Sequence, residues 1–183
     1  EELLAGAHVH FSVMPIADVI ATSDEAAKAG LNRVNVEIDP LPVITDPRVA
    51  KEKGELIIPP RTFKLGDTSA AWDQCEYIAE GSTETNGQEH LYIETQGAYC
   101  VPQENGAFRI YSSTQGPTAV QRTTARILKI PMNLIEVDTT RLGGGFGGKE
   151  DQATTWAVLC ALASYYLKKP VKYCLHRMED MRM

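Results

Sequence analysis

A chain of 183 residues with 43% hydrophobic side chains is long enough for one globular core or two small ones, and this composition excludes global disorder. Lys and Arg number 18 against 24 Asp and Glu, a net charge of -6 without a local basic patch, which argues against a nucleic-acid or anionic-membrane surface. Cys75, Cys100, Cys160 and Cys174 are widely spaced and form no Cys-x-x-Cys pair, so neither a zinc site nor a disulfide framework is written; they read as buried small hydrophobes in a reducing, cytoplasmic compartment.

In chain order, Phe11 to Ala21 reads as a strand or a bent pair with Pro15 at an edge. Thr22-Ser-Asp-Glu25 has capping-box spacing and starts a helix across Glu25 to Ala29, with Gly30 as its left-handed cap. Val34 to Ile38 alternates as a strand that Asp39 to Pro42 stops, and a proline-punctuated stretch with a short helix near Arg48 to Lys51 leads to Pro60. Antiparallel strands are predicted over Cys75 to Thr83, Gln88 to Thr95, Ala98 to Val101 and Ala107 to Ser113, with Asn86-Gly87 as the strongest hairpin signal. A helix over Thr118 to Leu128 behind Pro117, a strand over Leu134 to Thr140, a helix over Asp151 to Lys168 and a strand over Val171 to His176 complete an α+β pattern. The apolar run Trp156 to Leu167 falls short of the ~20 residues of a membrane span and reads as a core helix. The chain begins at Glu1-Glu-Leu-Leu with no initiator Met, and reads as part of a longer protein.

Five of the 14 glycines lie in Arg141-Leu-Gly-Gly-Gly-Phe-Gly-Gly-Lys-Glu150, between the predicted strand and the core helix. A bare backbone there can converge N–H groups on an anionic or electron-rich guest. Gly143 to Lys149 has Walker A spacing, but Glu150 stands where magnesium needs a hydroxyl and would repel phosphates. Gly143, Gly145 and Gly148 fit the dinucleotide fingerprint, but Leu167-Lys-Lys-Pro170 occupies the region of the acidic ribose partner. A nucleotide-binding module remains one reading. Another is an α+β interaction domain in which the glycines serve packing, Phe146 plugs the core, and Lys149 and Glu150 are solvated first-turn residues. His8 and His10 could share a strand face but lack a third ligand, and read as exposed; His90 and His176 read as core histidines. No Ser, His and Asp set can be assembled.

Four blocks taken together, Gly87-Gln-Glu-His-Leu-Tyr-Ile-Glu-Thr95, Ser113-Thr-Gln-Gly-Pro117, Arg141 to Glu150 and Arg177-Met-Glu-Asp-Met181, resemble the molybdenum hydroxylases, the family of xanthine dehydrogenase and aldehyde oxidase. The resemblance implies the end of a small α/β hammerhead domain over residues 1–52, a linker over 53–74, and the first part of a mixed α/β molybdopterin-binding domain over 75–183. It implies a molybdenum ion held by a pyranopterin dithiolene rather than by the protein. Gln115 would then bond to an oxygen ligand of the metal or to the cofactor, and the backbone of Gly144, Gly145, Phe146 and Gly147 would pack against the pterin and the metal's ligands. Gln115 and Phe146 would lie near the metal without ligating it.

Glu150 is implied as the substrate residue and, with Gln115, part of the catalytic apparatus. Xanthine dehydrogenases carry Glu at that position to grip the purine, where aldehyde oxidases carry an apolar residue. The implied reaction is oxidative hydroxylation of hypoxanthine or xanthine to urate with water as the oxygen source. An aldehyde, another N-heterocycle or a selenium-dependent variant is the alternative. Electrons would leave through 2Fe-2S clusters and FAD on other domains or subunits of an oligomeric enzyme. The family's general-base Glu and substrate-clamping Arg match nothing here, so the chain alone is expected to be inactive.

Overall fold

Segments with strong local signals fold where those signals lie. The structure, a computed structural model, describes residues 3–182. It contains helices α1 (Asp24–Leu31), α2 (Pro47–Lys53), α3 (Thr68–Trp72), α4 (Pro117–Leu128), α5 (Gln152–Leu167) and α6 (Arg177–Asp180), and strands β1 (Gly97–Pro102), β2 (Phe108–Ser112), β3 (Ile135–Asp138) and β4 (Val171–Cys174). Pro117 begins α4, where it has no N–H to leave unpaired, and Lys129 ends the helix in the left-handed conformation. Asn105 and Gly106, both at positive φ, turn β1 into β2.

The chain divides into two compact units, one formed by the residues up to 33 with those from 87 onward, the other by 34–86. The second carries α2, begun by Asp46 accepting from the Arg48 and Val49 N–H groups, and α3, begun by Asp67 accepting from the Ala70 N–H. None of residues 34–86 is buried.

The first unit holds a mixed four-stranded sheet in the order β3-β2-β1-β4. β1 pairs antiparallel with β2 (Cys100 opposite Ile110) and with β4, while β2 and β3 run parallel (Ile110 opposite Val137), joined by α4 as a crossover. Alternation puts Ala98, Cys100, Phe108 and Ile110 on the face that packs against Val120, Ala125 and Leu128 of α4 and Ala157, Cys160 and Ala161 of α5. Each large apolar side chain fully buried there contributes about 1.5–3 kcal/mol. α5 is apolar nearly all round because it is buried on most sides, and no helix among the described residues is long and apolar enough to cross a membrane.

Four strand expectations fail. Phe11 to Ala21, Val34 to Ile38, Cys75 to Thr83 and Gln88 to Thr95 enter no ladder, with Val13 and Leu91 at positive φ, and Asn86-Gly87 makes no hairpin. β propensity and a turn signal need a partner strand, and among the described residues these segments find none. The cap of α1 also differs: Ser23, not Thr22, accepts from the Ala26 N–H, and Gly30 lies inside the helix, which ends at Asn32 in the right-handed conformation. Cys75 and Cys174 are exposed, contrary to the sequence reading, while Cys100 and Cys160 are buried.

Burial pushes the Cys100 thiol up to about 11 and raises Cys160 further, so neither forms thiolate at neutral pH. Titration of the native chain with a thiol-specific disulfide reagent at neutral pH is therefore expected to modify Cys75 and Cys174 alone, and all four cysteines after denaturation.

Candidate functional site

The four sequence blocks, far apart in the chain, meet in one hydrogen-bonded cluster around the glycine loop. Tyr92 is its centre. The Tyr92 hydroxyl donates to Asp180 Oδ1 at 3.0 Å and accepts from Gln96 Nε2 at 2.9 Å. Burial first, then the hydrogen bond to the Asp180 carboxylate, pushes Tyr92 up to about 12, so it remains a donor throughout the neutral range. Arg177 donates to the Tyr92 and Ile93 carbonyls, each at 2.6 Å, and pairs with Asp180 Oδ2 at 3.3 Å. Gln96, fully buried, passes its other donor to the Gly148 carbonyl at 2.8 Å. Tyr92, Glu94 and Gln96 all reach the loop from a segment that bends at Ile93, Glu94 and Gln96 and joins no sheet.

The loop itself is pinned from two sides. Glu94 Oε2 accepts from the Gly143 N–H at 2.9 Å and from Lys149 Nζ at 3.1 Å. Gln115 Oε1 accepts from the Gly147 N–H at 3.2 Å and the Lys149 N–H at 3.1 Å. The Gln115 N–H in turn donates to the Lys149 carbonyl at 2.8 Å. Lys149 is fully buried, with Nζ 4.4 Å from the Tyr92 ring centroid, which corrects its reading as a solvated first-turn residue. Helix α5 begins only at Gln152, so neither Lys149 nor Glu150 lies in its first turn.

Gln115, Phe146, Gly147 and Glu150 are exposed on this cluster, and Gly145 is buried. Gln115 is exposed, and with its carbonyl taken by two loop amides its NH2 keeps two donors that bond to nothing among the described residues. The N–H groups of Gly144, Gly145 and Phe146 likewise donate to nothing among the described residues. Phe146 is 75% exposed at φ 52°, so it is no core plug, and a bulky residue held in the left-handed region costs about 1–3 kcal/mol. Glu150 is exposed and its carboxylate has no partner among the described residues. The structure thus brings Gln115, Gly144, Gly145, Phe146, Gly147 and Glu150 to one loop, with the Gly147 N–H already spent on Gln115.

The histidines behave otherwise than read, except at His8 and His10, which are exposed with rings 6.1 Å apart. His90 and His176 are exposed rather than core: His90 stacks beside Tyr92, and His176 caps α6 by accepting from the Met178 N–H. Among the described residues no group of three or more His, Cys, Asp and Glu is placed to hold a metal ion. The sequence reading missed Lys149, Tyr92 and Gln96. The alternation of Tyr92, Glu94 and Gln96 was the one signal that could have shown a shared side.

Gly143 and Gly145 are the loop glycines held in the closest approach. An added Cβ at Gly143 would stand 2.5 Å from Glu94 Cβ, and one at Gly145 2.5 Å from Gln115 Cδ. Gln115 could swing aside only by giving up its two loop amides. Gly143→Ala and Gly145→Ala are expected to lower stability by about 1–3 kcal/mol in urea denaturation. Gly87→Ala, with nothing within 4 Å, is expected to stay within about 0.5 kcal/mol.

A family model described as molybdopterin cofactor-binding domain matches residues 49–183. Xanthine dehydrogenase of Emericella nidulans is 38% identical over 91% of this chain, which spans 12% of that relative. Aldehyde oxidase 2 of Cavia porcellus is 33% identical over 91% of the chain and 13% of its own length. In fold, quinoline 2-oxidoreductase from Pseudomonas putida 86 superposes with a TM-score of 0.80 at 24% identity, covering 98% of this chain and 24% of that one. The chain therefore spans about an eighth of the curated relatives it matches.

Proposed function

We propose a purine-hydroxylase role for this chain, which belongs to the molybdopterin cofactor-binding domain family of the molybdenum hydroxylases. In this reading residues 1–52 end a hammerhead domain, 53–74 form a linker, and 75–183 open the cofactor-binding domain. The carrying observation is the Gln115 amide, whose carbonyl is fixed by two loop N–H groups so that its NH2 is presented outward beside an exposed, positive-φ Phe146.

The residues present suit a metal that arrives with its own organic ligand. The three unspent N–H groups of Gly144, Gly145 and Phe146 offer donors to oxygen or sulfur atoms without adding charge. Gln115 does the same from directly beside the loop, and a neutral amide leaves the metal's potential less disturbed than a lysine would. When bound, the molybdenum pterin supplies oxidative hydroxylation of a ring carbon, with water as the oxygen source.

This chain's own groups then bind and orient. Gln115 and the amides of Gly144, Gly145 and Phe146 hold the cofactor's polar edge, Gly147 keeps Gln115 in place, and Phe146 supplies an apolar wall that excludes water. Glu150, unpartnered and exposed, accepts from a purine N–H and so turns the ring toward the reacting position. Its carboxylate favours a purine over an aldehyde, which has no N–H to offer. The electron path through 2Fe-2S clusters and FAD on other parts of the enzyme, its oligomeric assembly and its cytoplasmic location belong to the same proposal.

The nucleotide-binding reading fares worse on the same geometry. Phosphate binding of the Walker type needs the loop lysine and inward-curving amides, but Lys149 is buried against Glu94, and the Gly143, Gly147 and Lys149 amides are spent on side chains.

Replacing Glu150 in the holoenzyme tests the substrate role. Glu150→Ala is expected to lower kcat/KM for xanthine roughly 10- to 150-fold, the worth of about 1.5–3 kcal/mol for a hydrogen bond to a charged group. Molybdenum content and aldehyde turnover should stay as in the parent enzyme. Unchanged purine kinetics would remove Glu150 from that role.

A further inference from the structure

Lys149 is a buried cation that the proposed chemistry leaves unused. We infer that it is a positioning residue for the cofactor-facing loop: its ion pair with Glu94 closes the loop over Tyr92, and its main chain fixes the orientation of the Gln115 amide. The inference rests on the cradle reading above and assigns to one residue the task of holding that cradle in shape.

Every polar group of Lys149 is engaged with another block. Nζ bonds to Glu94 Oε2 at 3.1 Å and lies 4.4 Å from the Tyr92 ring centroid. Its N–H donates to Gln115 Oε1 at 3.1 Å. Its carbonyl accepts from the Gln115 N–H at 2.8 Å and from the Thr114 hydroxyl at 3.3 Å. The same Glu94 oxygen that takes the ammonium also takes the Gly143 N–H at 2.9 Å, so both ends of the glycine loop close on one carboxylate oxygen.

Packing alone does not call for a charge here. An apolar side chain of similar length would fill the volume over Tyr92 without the desolvation cost of an ammonium. The charge matters for what it restrains. Glu94 is 41% exposed in its side chain, so without an inward partner its carboxylate is free to turn to solvent and release the Gly143 N–H. The Glu94 N–H would still donate to the Gly143 carbonyl at 3.2 Å and Gln96 to the Gly148 carbonyl at 2.8 Å, but the side-chain closure that joins Gly143 to Lys149 would be lost, and with it part of the restraint on the Gln115 NH2 and the amides of Gly144 to Phe146.

The test compares Lys149→Met with Lys149→Met/Glu94→Gln in the holoenzyme, all readings taken per bound molybdenum. The double variant leaves no lone carboxylate against the Tyr92 ring, so its thermal midpoint should return close to that of the parent even where the single variant folds poorly. Positioning predicts that the double variant still loses about 100-fold in kcat. KM for xanthine should be little changed and the electron paramagnetic resonance spectrum of the bound metal altered; loss of the cofactor from a double variant with parental midpoint also supports the inference. A double variant with parental midpoint, kcat and spectrum would overturn it, because the pair would then serve the fold alone. A parent enzyme without molybdenum would instead overturn the cradle reading, and this inference with it, before any variant is compared.

Discussion

A lysine ammonium withdrawn from solvent, set against an aromatic ring and a single carboxylate oxygen, is the constraint on which the glycine loop depends. Isolated in an apolar interior such a charge costs several kcal/mol. Here Glu94 offsets it at 3.1 Å and the Tyr92 face adds a cation–π contact of up to about 2 kcal/mol when desolvated. Those two partners are themselves held: Tyr92 by Asp180 and Gln96, and the backbone at 92 and 93 by Arg177. The residues that grip the loop are thus gripped in turn.

The sheet and its helices supply the frame. Cys100 and Ile110, fully buried, seat β1 and β2 on α4 and α5, and this brings the segments that lead into the two helices side by side. Gln115, just before α4, and Lys149, just before α5, then exchange main-chain bonds, and the Glu150 carbonyl lies 3.1 Å from where a Cβ on Gly116 would stand. The close fit spends the Gly143, Gly147, Gly148 and Lys149 amides within the cluster and leaves those of Gly144, Gly145 and Phe146 without an acceptor among the described residues. Backbone donors that find no acceptor within the chain are the ones left for a group outside it.

Local signals were legible in the sequence where local physics decided the outcome. Pro117 and Pro131 bracketed α4, the apolar run from Trp156 to Leu167, interrupted at Ser164, gave α5, and the Asn105-Gly106 turn gave β1 and β2 nearly to the residue. Val34 to Ile38 and Gln88 to Thr95 were misread as strands because alternation records which residues share a side, while a ladder needs a partner that the pattern does not contain. Lys149 was misread because no local pattern marks a lysine for burial; its fate was set by Glu94 and Tyr92, more than fifty residues away in the chain. The four blocks, by contrast, were visible as a group, and their meeting around Tyr92 gives that grouping a physical basis.

Anomalous X-ray scattering at the molybdenum edge, from crystals of the holoenzyme that carries this chain, bears most directly on the loop as a cofactor cradle. The account predicts one molybdenum peak on the exposed side of Gly144 to Gly147, with a ligand atom of the metal or its pterin within hydrogen-bond distance of Gln115 Nε2 and no protein side chain bonded to the metal. A peak coordinated by protein side chains, or one lying away from this loop with Gln115 Nε2 facing only solvent, would contradict it.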